Sequence, residues 1–321
     1  MILIIKIGGI TVKRIITTTI IFIMVLSMLI GCNSNQTKTT PETSNKPLSL
    51  VDPAGNEILI PHNINRIVSM APSITEILLE LGFGDKIIAI DTQSKGISGL
   101  SNDIPSIDMM APDVEKIIEL RPDIVIASTI TVAGGNDPLT QIKELGISLA
   151  YIPSSNSIEG IYNDIIFISK VLKSEERGKD IINNMNNKIT EIKKIGDTIA
   201  SKKSVYFEIA ALPNLYSFGK GVFLNEMIDI IGATNILNDK EGWLSISEEL
   251  VIDRSPDIII TNVNYIENPV DEIKSRKGWR SISAVKNNQV YYVDNMSSSL
   301  PNHNIIKALE EMAKAVYPDL Y

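Results

Sequence analysis

The sequence predicts an α/β fold of two three-layer lobes with mostly parallel central sheets, bridged by one long α-helix. Three observations lead to this prediction. Seven short apolar runs are spaced along the chain, helical segments lie between most of them, and one long stretch near the middle has helical periodicity without a strand signal. Short runs without polar alternation are typical of strands covered on both faces, and their alternation with helices is typical of parallel sheets.

The predicted strands are short and rich in Ile and Val. They cover residues 66–69, 87–90, 123–127, 147–152, 205–209, 257–261 and 290–293. Runs of this length suit buried strands better than helices, which need about ten residues or more.

The first helix is predicted to follow the first of these strands. Ser73 is a favourable N-cap residue, and Glu76 three residues later completes the pattern of a capping box. The helix is expected to run to Leu81, with Gly82 as its C-terminal stop.

A long helix is predicted from residue 174 to about residue 200. Its apolar positions recur at three- and four-residue steps or their multiples, which places them on one stripe. These positions are Ile181, Met185, Ile189, Ile192 and Ile199. At 1.5 Å per residue the helix would span about 40 Å, and its composition indicates a rigid connector. The predicted organisation is an N-terminal lobe over 48–172, the connecting helix over 173–201, and a C-terminal lobe over 202–321.

The two predicted lobes contain a repeated pattern. Residues 115–126 and residues 249–260 both begin with Glu, reach Pro-Asp-Ile after the same number of residues, and end in β-branched residues. The offset is 134 throughout. A weaker pair, residues 76–82 and 226–232, repeats at an offset of 150. In each long copy a helix must end before a proline, and a buried strand follows. Two related lobes create a cleft, where small ligands commonly bind.

The N-terminus has the pattern of a secretory signal over residues 1–31. Lys13 and Arg14 precede a long apolar run that ends at Gly31-Cys32. This end resembles a bacterial lipobox, which implies that Cys32, the only cysteine, is lipidated and anchors the chain to the membrane. Residues 32–47 are then a flexible tether, because they contain too few apolar residues to fold. An uncleaved transmembrane anchor is the alternative, since the run is long enough to span a bilayer.

Composition excludes several classes of function. The formal net charge is −8 and no basic cluster is present, so nucleic-acid binding is not expected. The chain has no nucleophile elbow, phosphate loop or zinc-protease helix, and we expect no enzyme activity and no cofactor. Two histidines, His62 and His303, are too few for a typical zinc site.

Four segments, taken in order, resemble the motifs of the cobalamin, haem and ferric-siderophore binding proteins of ABC importers. They are residues 66–76, 113–126, 242–259 and 282–291. The resemblance extends over about residues 48–321 and implies two α/β lobes bridged by one long helix. It also implies an extracytoplasmic monomer that delivers a small molecule to a homodimeric ABC permease with its ATPase.

The resemblance implies two docking residues for the permease. By motif position they are Glu115 and Glu249, the leading residues of the repeat, with Glu248 as an alternative at the second position. A two-fold receptor offers two equivalent sites, and arginine binds carboxylate in a fixed geometry. A lipoprotein that only scaffolds or senses is a further alternative.

The resemblance also implies a ligand pocket at the strand ends that face the cleft. Its expected residues are Trp243, Tyr216, Met109, Met110, Ser128, Thr129, Thr92 and His303. Aromatic faces suit flat, apolar ligands such as tetrapyrroles, so an iron chelate or tetrapyrrole (ferric siderophore, haem or cobalamin) is the expected ligand.

An oxyanion or other small polar ligand is the alternative. Helix N-termini and hydroxyl groups bind oxyanions. Ser73, Thr75, Ser128 and Thr129 are the side chains expected to do so here.

Overall fold

The computed structural model describes residues 48–132 and 134–321. The predicted signal peptide over 1–31, the lipidated Cys32 and the tether over 32–47 lie outside this part of the chain. Over the described ranges, no helix has both the length and the apolar character needed to cross a membrane.

The described residues form thirteen strands and eleven α-helices. The strands are β1 (Leu48–Val51), β2 (Glu57–Ile60), β3 (Ile67–Met70), β4 (Ile87–Asp91), β5 (Ser106–Ile107), β6 (Ile124–Ser128), β7 (Ser148–Ile152), β8 (Ser204–Glu208), β9 (Tyr216–Phe218), β10 (Thr234–Asn235), β11 (Trp243–Ser245), β12 (Ile258–Thr261) and β13 (Val290–Tyr292). The helices are α1 (Pro72–Glu80), α2 (Val114–Glu119), α3 (Thr140–Glu144), α4 (Ile158–Val171), α5 (Glu175–Gly196), α6 (Phe223–Ile230), α7 (Glu248–Arg254), α8 (Pro269–Ser275), α9 (Ser283–Lys286), α10 (Asn295–Ser299) and α11 (Ile305–Val316).

Two parallel sheets form the centre of the fold, which confirms the predicted α/β class. The first has the order β5-β4-β3-β6-β7 and the second the order β10-β8-β12-β13. We call the parts built on them the N-terminal and C-terminal lobes. We call β3, β4, β6 and β7 the first to fourth main strands of the N-terminal sheet, and β8, β10, β12 and β13 those of the C-terminal sheet. In this numbering both sheets have the order 2-1-3-4, with β5 as an additional edge strand. All seven predicted strands are present within one or two residues of their predicted limits.

Successive residues of the central strands point to different cores, which gives each lobe three layers. Ile124 and Ile126 face one core, whereas Val125 faces another. In the C-terminal lobe Ile258 packs in the first of these cores, and Ile259 packs in a third. Because both faces are buried, neither needs polar residues, and the strands are continuous apolar runs. The first core includes residues of both sheets, so the lobes share it within one compact unit.

Helix α5 connects the lobes as predicted, although it is shorter than expected. It has 22 residues, or about 33 Å of helix. Ile181, Met185 and Ile192 are buried along its predicted stripe. It ends at Gly196, where an added Cβ would lie 2.3 Å from the carbonyl oxygen of Ile230. The close approach of this turn to the end of α6 therefore ends the helix before residue 200.

The repeat predicted at an offset of 134 has the same local structure in both lobes. Arg121 and Ser255 both adopt a left-handed conformation immediately before a proline. In the N-terminal lobe Asp123 accepts from the backbone N–H of Arg66 at 3.0 Å. In the C-terminal lobe Asp257 accepts from the backbone N–H of Ser204 at 2.9 Å. Each aspartate thus links the start of the third main strand (β6 or β12) to the start of the first (β3 or β8).

The predicted capping box at the start of α1 is wrong. The helix begins at Pro72, its N-cap residue is Ala71, and no side chain caps it. Proline is favoured in the first turn because it has no N–H to satisfy there. The Glu76 carboxylate instead accepts from Nδ2 of Asn302 in the C-terminal lobe. The predicted stop is confirmed, since Gly82 has a φ of +86° just after the helix.

Candidate functional site

Because the central strands are parallel, their carboxyl ends lie at the same edge of each sheet. In both sheets the order reverses between the first and third main strands, and ligands of open α/β sheets bind at such a switch point. Here these strands are β3 and β6 in the N-terminal lobe and β8 and β12 in the C-terminal lobe. The residues that follow these strands are therefore candidates for ligand contact.

Side chains from the two lobes meet directly around the cleft. The indole Nε1 of Trp243 donates to Oδ1 of Asn156 at 3.1 Å. Near the start of α4, the backbone N–H of Ile158 donates to the carboxylate of Glu226 at 3.0 Å. Glu76 and Glu226, which are equivalent in the second repeat, thus each accept a hydrogen bond from the opposite lobe.

A two-stranded aromatic sheet brings together two residues that the sequence predicted for the pocket. Strands β9 and β11 are antiparallel, with Phe218 opposite Trp243 and Tyr216 opposite Ser245. This register puts Tyr216, Phe218 and Trp243 on one face of the small sheet. Trp243 is 37% exposed, and its ring packs edge-on against Phe218, with ring centroids 5.9 Å apart. The exposed Trp243 ring thus lies beside Asn156.

The two predicted methionines have different surroundings. Met109 is 8% exposed and packs in the core beneath the N-terminal sheet, whereas Met110 is 66% exposed. Only Met110 is therefore accessible to a large ligand in this conformation.

The predicted hydroxyl residues lie directly after strand ends. Ser128 closes β6 and is buried, with its Oγ accepting from the N–H of Ile130 at 3.2 Å. Thr129 and Thr92 are half-buried and open short 3₁₀ turns after β6 and β4.

His303 lies near the far end of α1. Its Nε2 is 3.8 Å from Oε2 of Glu80, the last residue of that helix, and its side chain is 15% exposed. Burial lowers the pKa of His303, so the neutral imidazole is favoured. His303 therefore lies next to the interlobe contact that Asn302 makes with Glu76.

One pocket of about 360 Å³ opens between the lobes, within the usual size of a ligand site. Both lobes contribute lysine and acidic side chains to it. Its walls include Glu76, Gln93, Lys95, Asp294, Met296, Ser297, Asn304 and Lys307. None of the predicted ligand residues is among its lining residues, although Thr92 and His303 are adjacent in sequence to Gln93 and Asn304.

Several exposed residues at the strand ends were missed by the sequence prediction. Ile130 follows β6 and is 40% exposed, and Tyr265 follows β12 and is 65% exposed. The Tyr265 hydroxyl accepts from the N–H of Ala211 at 2.8 Å, which fixes its ring near the loop before β9. Their positions three and four residues beyond predicted strands were the available signal. Asn156 had no comparable signal, because its role depends on Trp243 in the other lobe.

The loop that carries Asn156 is held by a buried carboxyl group. Ser155 donates from Oγ to Oδ2 of Asp164 at 2.6 Å, and Asp164 is 3% exposed. Burial raises the pKa of Asp164 to about 7, although the hydrogen bond from Ser155 opposes this shift. The folded chain therefore holds this proton more tightly than the unfolded chain, where aspartate has a pKa of about 3.9.

Asp164→Asn is expected to raise the free energy of unfolding at pH 8. The stabilisation from protonated Asp164 is complete below the unfolded pKa and is lost as the pH rises through about 7, whereas asparagine does not titrate. We expect a gain of about 2–4 kcal/mol at pH 8 that disappears near pH 4, measured by urea unfolding across this range. The exposed Asp180→Asn is the control. An Asp164→Asn variant no more stable than wild type at pH 8 would contradict the assignment.

The two predicted docking glutamates occupy the same position on equivalent helices. Asp113 caps α2 by accepting from the N–H of Lys116 at 3.0 Å, and Ser247 caps α7 by accepting from the N–H of Leu250 at 3.4 Å. Glu115 and Glu249 are each the second residue of the helix that follows, and both are exposed. Hydrogen bonds from its own backbone N–H and from Ser247 lower the pKa of Glu249, so its carboxylate is charged at neutral pH.

Comparison with known proteins agrees with this architecture. The family model described as "Periplasmic binding protein" matches residues 67–296. The chain is 30% identical over 300 residues to the ABC transporter substrate-binding lipoprotein YvrC of Bacillus subtilis, covering 92% of this chain and 94% of that protein. It is 24% identical to a vitamin B12-binding protein of Vibrio cholerae, covering 78% of this chain and 89% of that one.

A solved structure gives the same result. A possible iron-binding (periplasmic solute-binding) protein from Staphylococcus epidermidis superposes with a TM-score of 0.70 and 28% identity, over 79% of this chain and 99% of that one. The family model alone matches well over half of the chain, and the similarity to YvrC extends along nearly all of it. The chain belongs to the periplasmic binding protein family.

Proposed function

We propose that this chain is the extracytoplasmic, lipid-anchored substrate-binding protein of an ABC importer. In this proposal the chain binds an iron chelate or tetrapyrrole between its lobes and docks as a monomer on a dimeric permease with its ATPase. Cys32 carries the lipid, and the lobes and connector have the predicted limits of 48–172, 173–201 and 202–321. Its role is delivery, not catalysis.

One observation carries the transport role: each lobe presents an exposed glutamate at the same point of an equivalent helix. Glu115 and Glu249 each follow a capped N-terminus, and each is the second residue of its helix. A permease built from two identical subunits offers two identical binding sites, which a chain with two similar lobes can occupy together. Similarity to YvrC, a substrate-binding lipoprotein, supports the same role.

The exposed apolar side chains support a large, flat ligand. Tyr265 from the C-terminal lobe and Met110 and Ile130 from the N-terminal lobe lie beyond strand ends, and Trp243 opens β11; all four are 37% to 66% exposed. Contiguous exposed apolar patches mark binding sites, and in this proposal the four side chains form one such patch around the ligand. Relatives named for vitamin B12 and for iron agree with a tetrapyrrole or an iron chelate.

Two of the four hydroxyl groups named for the oxyanion alternative, those of Thr75 and Ser128, have partners within the protein. The Thr75 hydroxyl is buried and lies within 3.1 Å of three partners: the Ser69 hydroxyl, the Ser94 hydroxyl and the carbonyl oxygen of Ala71. Ser128 accepts from a backbone N–H. The Thr75 contacts favour the chelate or tetrapyrrole, and an oxyanion or other small polar ligand is the second outcome of the tests below.

Trp243→Ala is expected to weaken ligand binding by about 10- to 100-fold, because it removes an exposed indole ring at the cleft. The measurement is equilibrium titration with cobalamin, haem and a ferric siderophore, followed by ligand absorbance. Trp243→Phe keeps an aromatic face but loses the donor to Asn156, so it should lose less. Leu145→Ala, an exposed apolar residue at the opposite edge of the sheet, is the control and should bind as wild type. Equal ligand affinity of wild type and Trp243→Ala would show that Trp243 does not contact the ligand.

A further inference from the structure

Two neighbouring glutamates at the start of α7 have different surroundings. Glu248 is half-buried, and its Oε2 accepts from the indole Nε1 of Trp279 at 2.9 Å. Glu249 is exposed, and among the described residues its carboxylate forms no ion pair within 4 Å. Only Glu249 is therefore free to bind a partner in this conformation.

The donor of this hydrogen bond is held rigidly. Trp279 is completely buried, and its ring lies 4.2 Å from the guanidinium carbon of Arg276. The ring of Tyr206 packs edge-on against Trp279, with centroids 6.0 Å apart. An indole N–H can only donate, so it requires an acceptor at a fixed place, and Glu248 provides one.

The support for Trp279 extends to the central strand of the sheet. Arg276 donates from both terminal nitrogens to Glu208, at 2.6 and 2.9 Å, and from Nε to Glu272 at 3.0 Å. Glu208 is the last residue of β8. A continuous set of contacts therefore fixes the first turn of α7 relative to the strand.

The N-terminal lobe shows the same geometry with different chemistry. At the offset of 134, Val114 is equivalent to Glu248, and both are the first residue of their helix. Val114 packs against the apolar core beneath its sheet. In each lobe the first helical residue points inward and the second, Glu115 or Glu249, is exposed. One lobe achieves this with apolar packing and the other with a hydrogen bond.

We propose that Glu248 is a positioning residue, whose hydrogen bond to Trp279 orients α7 so that Glu249 faces the permease. The inference rests on the proposed docking function and assigns the second docking position to Glu249. The acceptor oxygen of Glu248 is required, and its negative charge is not. Glutamine keeps an acceptor oxygen and loses the charge, so Glu248→Gln separates the two roles.

The test uses the full lipid-anchored chain and its permease with the ATPase in proteoliposomes. We expect Glu248→Gln to bind the permease within about twofold of wild type, and Glu248→Ala to bind about three- to tenfold more weakly. Trp279→Phe removes the donor and should resemble Glu248→Ala. Glu249→Ala should lose more than about tenfold. Ligand affinity should stay unchanged in the two Glu248 variants, which a general loss of structure would not allow.

The possible failures can be told apart. If Glu248→Gln weakens docking as strongly as Glu249→Ala, the charge of Glu248 is used in docking and the inference is wrong. If folded Glu248→Ala docks as well as wild type, the hydrogen bond does not position the helix and the inference is also wrong. If neither Glu115→Ala nor Glu249→Ala weakens docking, the proposed docking surface itself is wrong.

Discussion

Replacing Glu115 and Glu249 together by alanine is expected to abolish ligand uptake while leaving ligand binding unchanged. Both carboxylates are exposed on the first turns of equivalent helices, where arginine side chains of a permease could bind each of them. We expect the affinity for the permease to fall by at least about 100-fold in the double variant and by less in each single variant. The measurement is ligand uptake into proteoliposomes that contain the permease and ATPase.

The control for this experiment is Glu119→Ala, which removes an exposed carboxylate from the same helix as Glu115. It should transport as wild type. Because exposed charge pairs are screened by salt, the advantage of wild type over the double variant should also shrink at high ionic strength. Unchanged uptake by the double variant would contradict the docking proposal.

Removing Arg276 is expected to cause the largest loss of stability. The side chains of Arg276 and Glu208 are 3% and 1% exposed, and they form a bidentate ion pair. Replacing Arg276 by methionine leaves the Glu208 carboxylate buried without its partner, which costs about 3–5 kcal/mol in comparable pairs. Urea unfolding at pH 8 measures this loss.

The pH dependence and a double variant test the cause of that loss. Burial already raises the pKa of Glu208 against the opposing effect of Arg276, so without Arg276 the carboxyl should protonate more readily. The penalty of Arg276→Met should therefore be smaller at pH 5 than at pH 8. Glu208→Gln combined with Arg276→Met should recover much of the stability, and exposed Arg280→Met should cost little. A loss below about 1 kcal/mol at pH 8 would show that the pair is not buried as described.

The sequence was sufficient to predict the parallel strands because each is buried on both faces. The runs that became β6 and β12 contain almost only aliphatic residues, and no other element of that length suits them. The two-residue strands β5 and β10 were not predicted, because pairs such as Thr234–Asn235 have no pattern of their own. They are strands only because they pair with the neighbouring strands β4 and β8.

Local motifs failed where distant residues determined the outcome. The Ser73 and Glu76 pattern predicted a capping box, but Pro72 begins the helix and Glu76 bonds to Asn302, 226 positions later. The long helix ends at Gly196 because it meets Gly232, a contact that no local periodicity contains.

The parts of the candidate site that recur in both lobes were easier to predict than the parts that depend on contacts between distant residues. Glu115 and Glu249 were implied by the family resemblance and also lead the two copies of the repeat, and the structure places them at matching helical positions. Trp243 and Tyr216 lie on one face because β9 and β11 pair in one register, which the sequence did not indicate. Asn156 and Tyr265 were missed because each acts through a partner far away in the chain.

Calorimetric titration of the chain without its signal and anchor tests most directly whether the cleft binds a chelate or tetrapyrrole. Cobalamin, haem, a ferric siderophore and molybdate are each titrated at several temperatures. We expect 1:1 binding of one of the first three with a Kd of about 1 μM or tighter, and a negative heat-capacity change from burial of apolar surface. Binding of molybdate alone, with no heat from the other three ligands, would contradict it.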